Sequence, residues 1–207
     1  MKLNRGNVVG PGGRVGQFWT PTPTAAAFAR WCGIEAGLRV IDLGAGLGAL
    51  SLAASQLGAR VTAVEVDEQI AARATPVLAR AHVTLVIRDV LTPTDRQIQI
   101  ETGHVHDLAI SNPPWERDLP VRFAEAQLER APIAAQIVPL NFLAAASRAK
   151  FWRWTEIAAM HVLARRPDFG GAYSGGMRDV MFVKMRRRTR ARSSAFDTDL
   201  AQIGVGA

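Results

Sequence analysis

Asn112-Pro113-Pro114-Trp115 is the stretch of this sequence best suited to chemistry. Asn112 supplies a side-chain oxygen that accepts hydrogen bonds. Pro113 and Pro114 lack an N–H, so they fix a rigid, extended turn and leave their carbonyls without a local competitor. An exocyclic amine carries two N–H donors, and the Asn112 side chain and the Pro113 carbonyl can accept both. That grip holds the nitrogen near tetrahedral geometry with its lone pair toward an electrophile, which suits in-line group transfer. Trp115 offers a flat face for the group that carries the amine. A nucleobase would have to leave its duplex stack to reach it.

A second constellation lies upstream. Residues 40–48 read Val-Ile-Asp-Leu-Gly-Ala-Gly-Leu-Gly. The glycines let the chain turn sharply and let a ligand approach the backbone. Asp42 sits just before this loop, Glu65 ends the next apolar segment, and Asp89 follows the one after that. An acid about 20 residues beyond such a loop can accept hydrogen bonds from both ribose hydroxyls. Gly44, Gly46 and Gly48 do not match the Gly-x-Gly-x-x-Gly phosphate fingerprint. Asp42 would also repel a pyrophosphate, yet it tolerates a positive amino group and a sulfonium. Both points favour S-adenosylmethionine over a nicotinamide dinucleotide.

The elements that must position these residues alternate. Apolar strands are expected at 39–43, 60–65, 83–87, 107–111, 134–139, 157–165 and 179–186. Helices are expected at 23–32 (Thr22 as N-cap), 47–57, 67–80 (Asp67 as N-cap), 119–130 and 144–154. Strands that are apolar throughout and alternate with helices imply a mostly parallel sheet covered on both faces. The loop 166–178 holds no helix, so the last two strands form an antiparallel pair at one edge. The fold class is therefore α/β, with a seven-stranded mostly parallel sheet, one antiparallel edge strand and helices on both faces. Glycines and Pro11 between Gly6 and Gly16 make residues 1–20 a flexible loop, and 187–207 a basic, disordered tail.

The chain has 207 residues, 48% hydrophobic and 21% charged, enough for one globular domain. Its net charge is +7, with five arginines between Arg186 and Arg192, which favours a polyanionic partner such as nucleic acid. No apolar run is long enough to span a membrane, and the first residues lack a signal-peptide core. The single cysteine, Cys32, excludes an internal disulfide and suits a reducing, cytoplasmic setting. It also excludes C5-cytosine methylation, because no Pro-Cys dipeptide supplies the thiolate that chemistry needs. His82, His104, His106 and His161 form no ligand spacing, so no metal is expected. Oligomeric state is open.

These motifs, in this order, resemble class I S-adenosylmethionine-dependent amino-methyltransferases of the Asn-Pro-Pro-aromatic type, over roughly residues 14–186. The resemblance implies a Rossmann-like methyltransferase fold with residues 21–186 as the methyltransferase domain. It gives Asp42, Gly44, Ala45 and Gly46 the methionine side of the cofactor, Glu65 and Val66 its ribose, and Asp89 and Val90 its adenine. Asn112, Pro113, Pro114 and Trp115 match the catalytic motif. Phe18 and Thr20, in Gly16-Gln17-Phe18-Trp19-Thr20-Pro21, resemble the Phe-Thr-Pro segment that covers the cofactor in N6-adenine DNA methyltransferases, although Trp19 interrupts it. Pro139–Leu143, Arg148 to Trp152 and Arg166-Pro167-Asp168-Phe169 resemble small phage and prophage DNA adenine methyltransferases. There Phe169 would be a second wall of the base pocket, opposite Trp115. The implied activity is methyl transfer to adenine N6 in DNA. An rRNA base, a release-factor glutamine and a non-catalytic nucleic-acid-binding module remain as alternatives.

Overall fold

The computed structural model describes residues 19–92, 106–169 and 178–188. Phe18, His104 and most of the expected N-terminal loop and basic tail lie outside the described residues. The strands are β1 (Arg39–Leu43), β2 (Arg60–Glu65), β3 (Thr84–Ile87), β4 (Leu108–Ser111), β5 (Ala134–Pro139), β6 (Thr155–Val162) and β7 (Val180–Arg187). They form one seven-stranded sheet in the order β3-β2-β1-β4-β5-β7-β6. The first five are mutually parallel, and β7 runs antiparallel between β5 and β6. This is the Rossmann-like methyltransferase architecture that the sequence implies, with its antiparallel pairing confined to one end.

Helices α1 (Thr22–Trp31), α2 (Ala49–Gln56) and α3 (Glu68–Arg80) cover one face; α4 (Leu119–Arg130) and α5 (Ala149–Trp154) cover the other. Alternation within strands feeds both layers. On β1, Val40 packs with Phe28, Leu50 and Leu78 on the first face. Its neighbour Ile41 packs with Val64, Val86 and Phe123 on the second. Helix α3 turns Ile70, Ala71, Ala74 and Leu78 inward, one stripe at helical spacing. The Asp67 side chain caps it by accepting from the Gln69 and Ile70 amides at 3.0 and 3.2 Å.

Three local expectations change, the first being the strand expected at 157–165, which runs Thr155–Val162 because its register is set by pairing with β7 from Thr155↔Arg187 to Val162↔Met181. Thr22 is the first residue of α1 rather than its cap: Pro21 holds the cap position in an extended conformation, with no side-chain bond. The helix expected from residue 144 begins at Ala149, after two single 3-10 turns, Leu140–Phe142 and Ala146–Arg148. Arg148 explains the difference, because its guanidinium donates to the carbonyls of Asn141 and Phe142 and folds the segment back. Phe142, Phe151 and Trp152 then close edge to face beneath it. No described helix is long and apolar enough to cross a membrane.

Candidate active site

At the C-terminal ends of the parallel strands lies a cavity of about 440 Å³. That falls within the ~300–1,000 Å³ of small-molecule sites, at the edge where open α/β sheets bind ligands. The loop after β1 forms its floor. Gly46 adopts φ +57°, and a Cβ there would meet the Trp19 ring at 3.1 Å. Gly48 adopts φ +85° and lies against Leu78, where a Cβ would come within 2.5 Å of Cδ2. The amides of Gly44 and Ala45 both donate to the Val64 carbonyl at 2.9 Å, which ties the loop to β2.

Asp42 is 1% exposed and lines this cavity. Its Oδ2 accepts the Ser51 hydroxyl at 2.6 Å, while its Oδ1 is buried without a partner. Burial pushes the carboxyl up to about 7; the Ser51 hydrogen bonds oppose this and the neighbouring Glu65 charge adds to it. An orphaned buried carboxylate oxygen suits a cationic ligand, because the cation restores the stabilisation lost with water. Glu65 is also buried, but both its oxygens are engaged. Its Oε2 accepts from Gly46 at 2.8 Å, and its Oε1 from Val66 and Asp67 at 2.9 Å each. Three of a carboxylate's roughly four lone-pair sites are thus in use. Glu65 pins the glycine loop in this state, and a two-hydroxyl grip on a ribose requires the Gly46 amide to let go. The residues present fit S-adenosylmethionine: a carboxylate for positive charge, an acid for hydroxyls and a floor of bare backbone.

The turn at Asn112 closes the far wall. Asn112 and Pro114 line the cavity, and Pro113 is buried behind them. The Asn112 Nδ2 donates to Thr20 Oγ1 at 3.0 Å, whereas its Oδ1 is buried with no partner. Trp115 turns away from the cavity. Its indole N–H donates to the Ile137 carbonyl at 3.1 Å, and its ring meets Phe169 edge to face, 5.0 Å between centroids. A base sandwiched between two parallel rings needs roughly twice the ~3.5 Å carbon contact distance. Trp115 and Phe169 are therefore in contact with each other here, not two open walls.

Of the expected cofactor residues, Thr20, Asp42, Gly44, Ala45, Gly46, Glu65, Val66 and Asn112 meet around one cavity. Asp89 and Val90 do not line it. Asp89 is exposed and turned back on its own loop, accepting the Leu91 amide at 2.9 Å, and Val90 is buried in the core. Arg130, whose guanidinium donates to the Val90 carbonyl at 3.1 Å, holds that loop in place. Sequence reasoning missed Trp19, which covers Gly46, and Phe123, whose Cε1 would lie 3.0 Å from a Cβ at Gly44. Phe123 was accessible as the inward residue four places after Leu119; Trp19 carried no periodic signal. Cys32 is buried, and burial pushes its thiol up to about 12, so it is no nucleophile. Among the described residues no group of three His, Cys, Asp or Glu gathers as a metal site.

With that geometry in hand, residues 29–137, just over half of the 207, match the family described as Methyltransferase small domain. Ribosomal RNA small subunit methyltransferase A of Leifsonia xyli subsp. xyli is 33% identical over 125 residues, 60% of this chain and 44% of that protein. The chain thus spans less than half the length of that relative. Among solved structures, magnesium protoporphyrin IX methyltransferase from Synechocystis PCC 6803, with bound S-adenosylmethionine, superposes at TM-score 0.54 and 18% identity, covering 81% of this chain and 78% of that one. A modification subunit provisionally assigned to a type I restriction enzyme of Vibrio vulnificus YJ016 superposes at TM-score 0.66 and 14% identity, covering 83% and 45%. At these identities the likeness is one of fold.

Proposed function

The chain belongs to the methyltransferase small domain family, and from that premise we propose that it transfers a methyl group from S-adenosylmethionine to an exocyclic amine of a nucleic-acid base, adenine N6 in DNA foremost. One observation carries the reading: the Asn112 Oδ1, buried and without a partner, in a turn that opens on the cofactor-sized cavity. A buried acceptor left unmade costs about 1–3 kcal/mol, so it is a place where a donor from outside gains by binding. An amine N–H is such a donor, and the Pro113 carbonyl is its second acceptor. When bound, the cofactor supplies a methyl already activated on a sulfonium, so the protein needs neither metal nor strong base. Asp42 would hold its positive end, Glu65 would take its hydroxyls once the Gly46 amide lets go, and Trp19 would cover it from the N-terminal side. Asn112 and Pro113 would orient the amine lone pair; the methyl's bond to sulfur breaks as its bond to nitrogen forms, a neutral thioether is left, and the amine proton passes to solvent. Support for the cofactor comes from the family match and from the Synechocystis neighbour.

Support for DNA comes from the resemblance of residues 139–171 to small phage and prophage adenine methyltransferases, a segment wholly beyond the family match. The sequence relative with 33% identity favours a second polymer, ribosomal RNA, for the same chemistry. Incubation with tritiated S-adenosylmethionine and, separately, DNA, ribosomal RNA and a release factor decides between them. N6-methyladenine in DNA is expected. Label confined to RNA replaces the polymer and keeps the chemistry; label confined to glutamine overturns both.

A further inference from the structure

Asn112 takes the direction of its carboxamide from a residue 92 positions away. The two ends of a carboxamide are nearly the same size and opposite in function. With oxygen inward, the turn accepts an amine N–H; with NH₂ inward, it sets donor against donor. Thr20 Oγ1 takes the Nδ2 end at 3.0 Å, and the oxygen is what remains, buried and unpartnered. Thr20 is itself fixed on both sides. Trp19 before it packs on the Gly46 backbone, and Pro21 after it stands at the cap of α1 with φ −61°.

We propose that Thr20 is the positioning residue that turns the Asn112 oxygen toward the reacting amine, so that the segment ahead of α1 is part of the transfer apparatus and not only a cover for the cofactor. The inference rests on the amine-methylation reading. A threonine hydroxyl both donates and accepts, so its sense must be set. Thr20 also lines the cavity, and any acceptor oxygen there that takes its O–H leaves Oγ1 to accept from Asn112. An occupied cofactor site therefore favours the productive direction of the amide. Asn112 and the glycine loop are thereby joined through two consecutive residues, Trp19 and Thr20.

Thr20→Val keeps the shape and removes the hydroxyl; Thr20→Ser keeps the hydroxyl; Thr20→Ala serves if the valine variant does not fold. The Asn112 side-chain amide signals in ¹⁵N–¹H spectra, identified by their loss in Asn112→Ala, read the contact without any substrate. Calorimetry reads cofactor affinity, and steady-state kinetics on the methylated polymer separate kcat from KM. Thr20→Val is expected to shift the Asn112 signals and to lower kcat about 10- to 100-fold, as misplacement of a reacting group does. Substrate KM should stay within about threefold, cofactor Kd should rise by no more than the roughly tenfold that one lost hydrogen bond costs, and Thr20→Ser should restore both signal and rate. Unmoved signals, a full kcat, or a loss confined to cofactor Kd overturns the proposal. If the unaltered protein methylates no nucleic acid, the functional reading fails while the spectra still decide whether Thr20 sets the amide.

Discussion

Asp42→Asn is expected to make the cofactor-free protein more stable at alkaline pH while removing its affinity for cofactor. Asp42 is buried beside Glu65, with one oxygen on Ser51 and the other unpartnered. Its carboxyl is pushed from an ordinary 3.8 to about 7, chiefly by burial. A folded pKa above the unfolded one means that the folded state holds its proton longer. Below pH 3.8 both states are protonated and the carboxyl costs nothing extra. Between 3.8 and about 7 the unfolded chain ionises first, and stability falls as pH rises. Above about 7 both states are ionised and the whole cost is present. At ~1.4 kcal/mol per pKa unit the rise amounts to about 4 kcal/mol. The asparagine amide must itself be desolvated beside Ser51, a pH-independent cost of ~2 kcal/mol, so Asp42→Asn should gain ~2 kcal/mol at pH 8 and lose ~2 kcal/mol at pH 4. Urea unfolding of both proteins at the two pH values measures this, and calorimetry with S-adenosylmethionine measures the binding lost. A variant that is less stable at pH 8, or a difference that does not change with pH, refutes the reasoning.

Gly48→Ala places a methyl 2.5 Å from Leu78 Cδ2 at φ +85°; a loss of about 2–4 kcal/mol in thermal or urea unfolding is expected from strain plus overpacking. Trp115→Phe removes the N–H that reaches the Ile137 carbonyl; stability should fall by ~1 kcal/mol, and kcat/KM for the polymer should fall with cofactor affinity unchanged. Asp107 is held down to about 2 by Arg39. Its contribution is present above the ordinary 3.8 and lost as pH falls through about 2, so Arg39→Gln should flatten that acid limb in a pH series of unfolding experiments.

The strands were legible because each is a short apolar run bounded by polar residues: β1, β2 and β5 lie at the residues expected, and α4 likewise. Periodicity reports what is buried, and these elements are set by burial. The 144–148 segment was misread because Arg148 folds it back by bonding to the Asn141 and Phe142 carbonyls, which leaves no pattern in hydropathy. At the site, residues named for charge and turn chemistry did meet around one cavity. What the sequence could not show was how they are occupied. It placed Trp115 and Phe169 as two walls, but the indole N–H finds a carbonyl on β5 and the rings close on each other. A buried indole N–H seeks an acceptor wherever the fold offers one, and that acceptor belongs to a strand distant in sequence.

The two carboxylates define what the cavity selects. The neighbouring Glu65 charge adds to the cost of ionising Asp42, after burial. The protein relieves Glu65 with three backbone amides, from Gly46, Val66 and Asp67, and leaves Asp42 with Ser51 alone, its Oδ1 unpartnered. The unrelieved charge is therefore the one beside the glycine loop. A ligand with positive charge there lowers the Asp42 pKa and gains its ionised partner; a neutral ligand of the same shape meets a protonated acid at neutral pH and below. Cofactor affinity should accordingly rise with pH through about 7, the opposite of the trend in stability. The same burial that weakens the empty fold thus gives the site its preference for a cation.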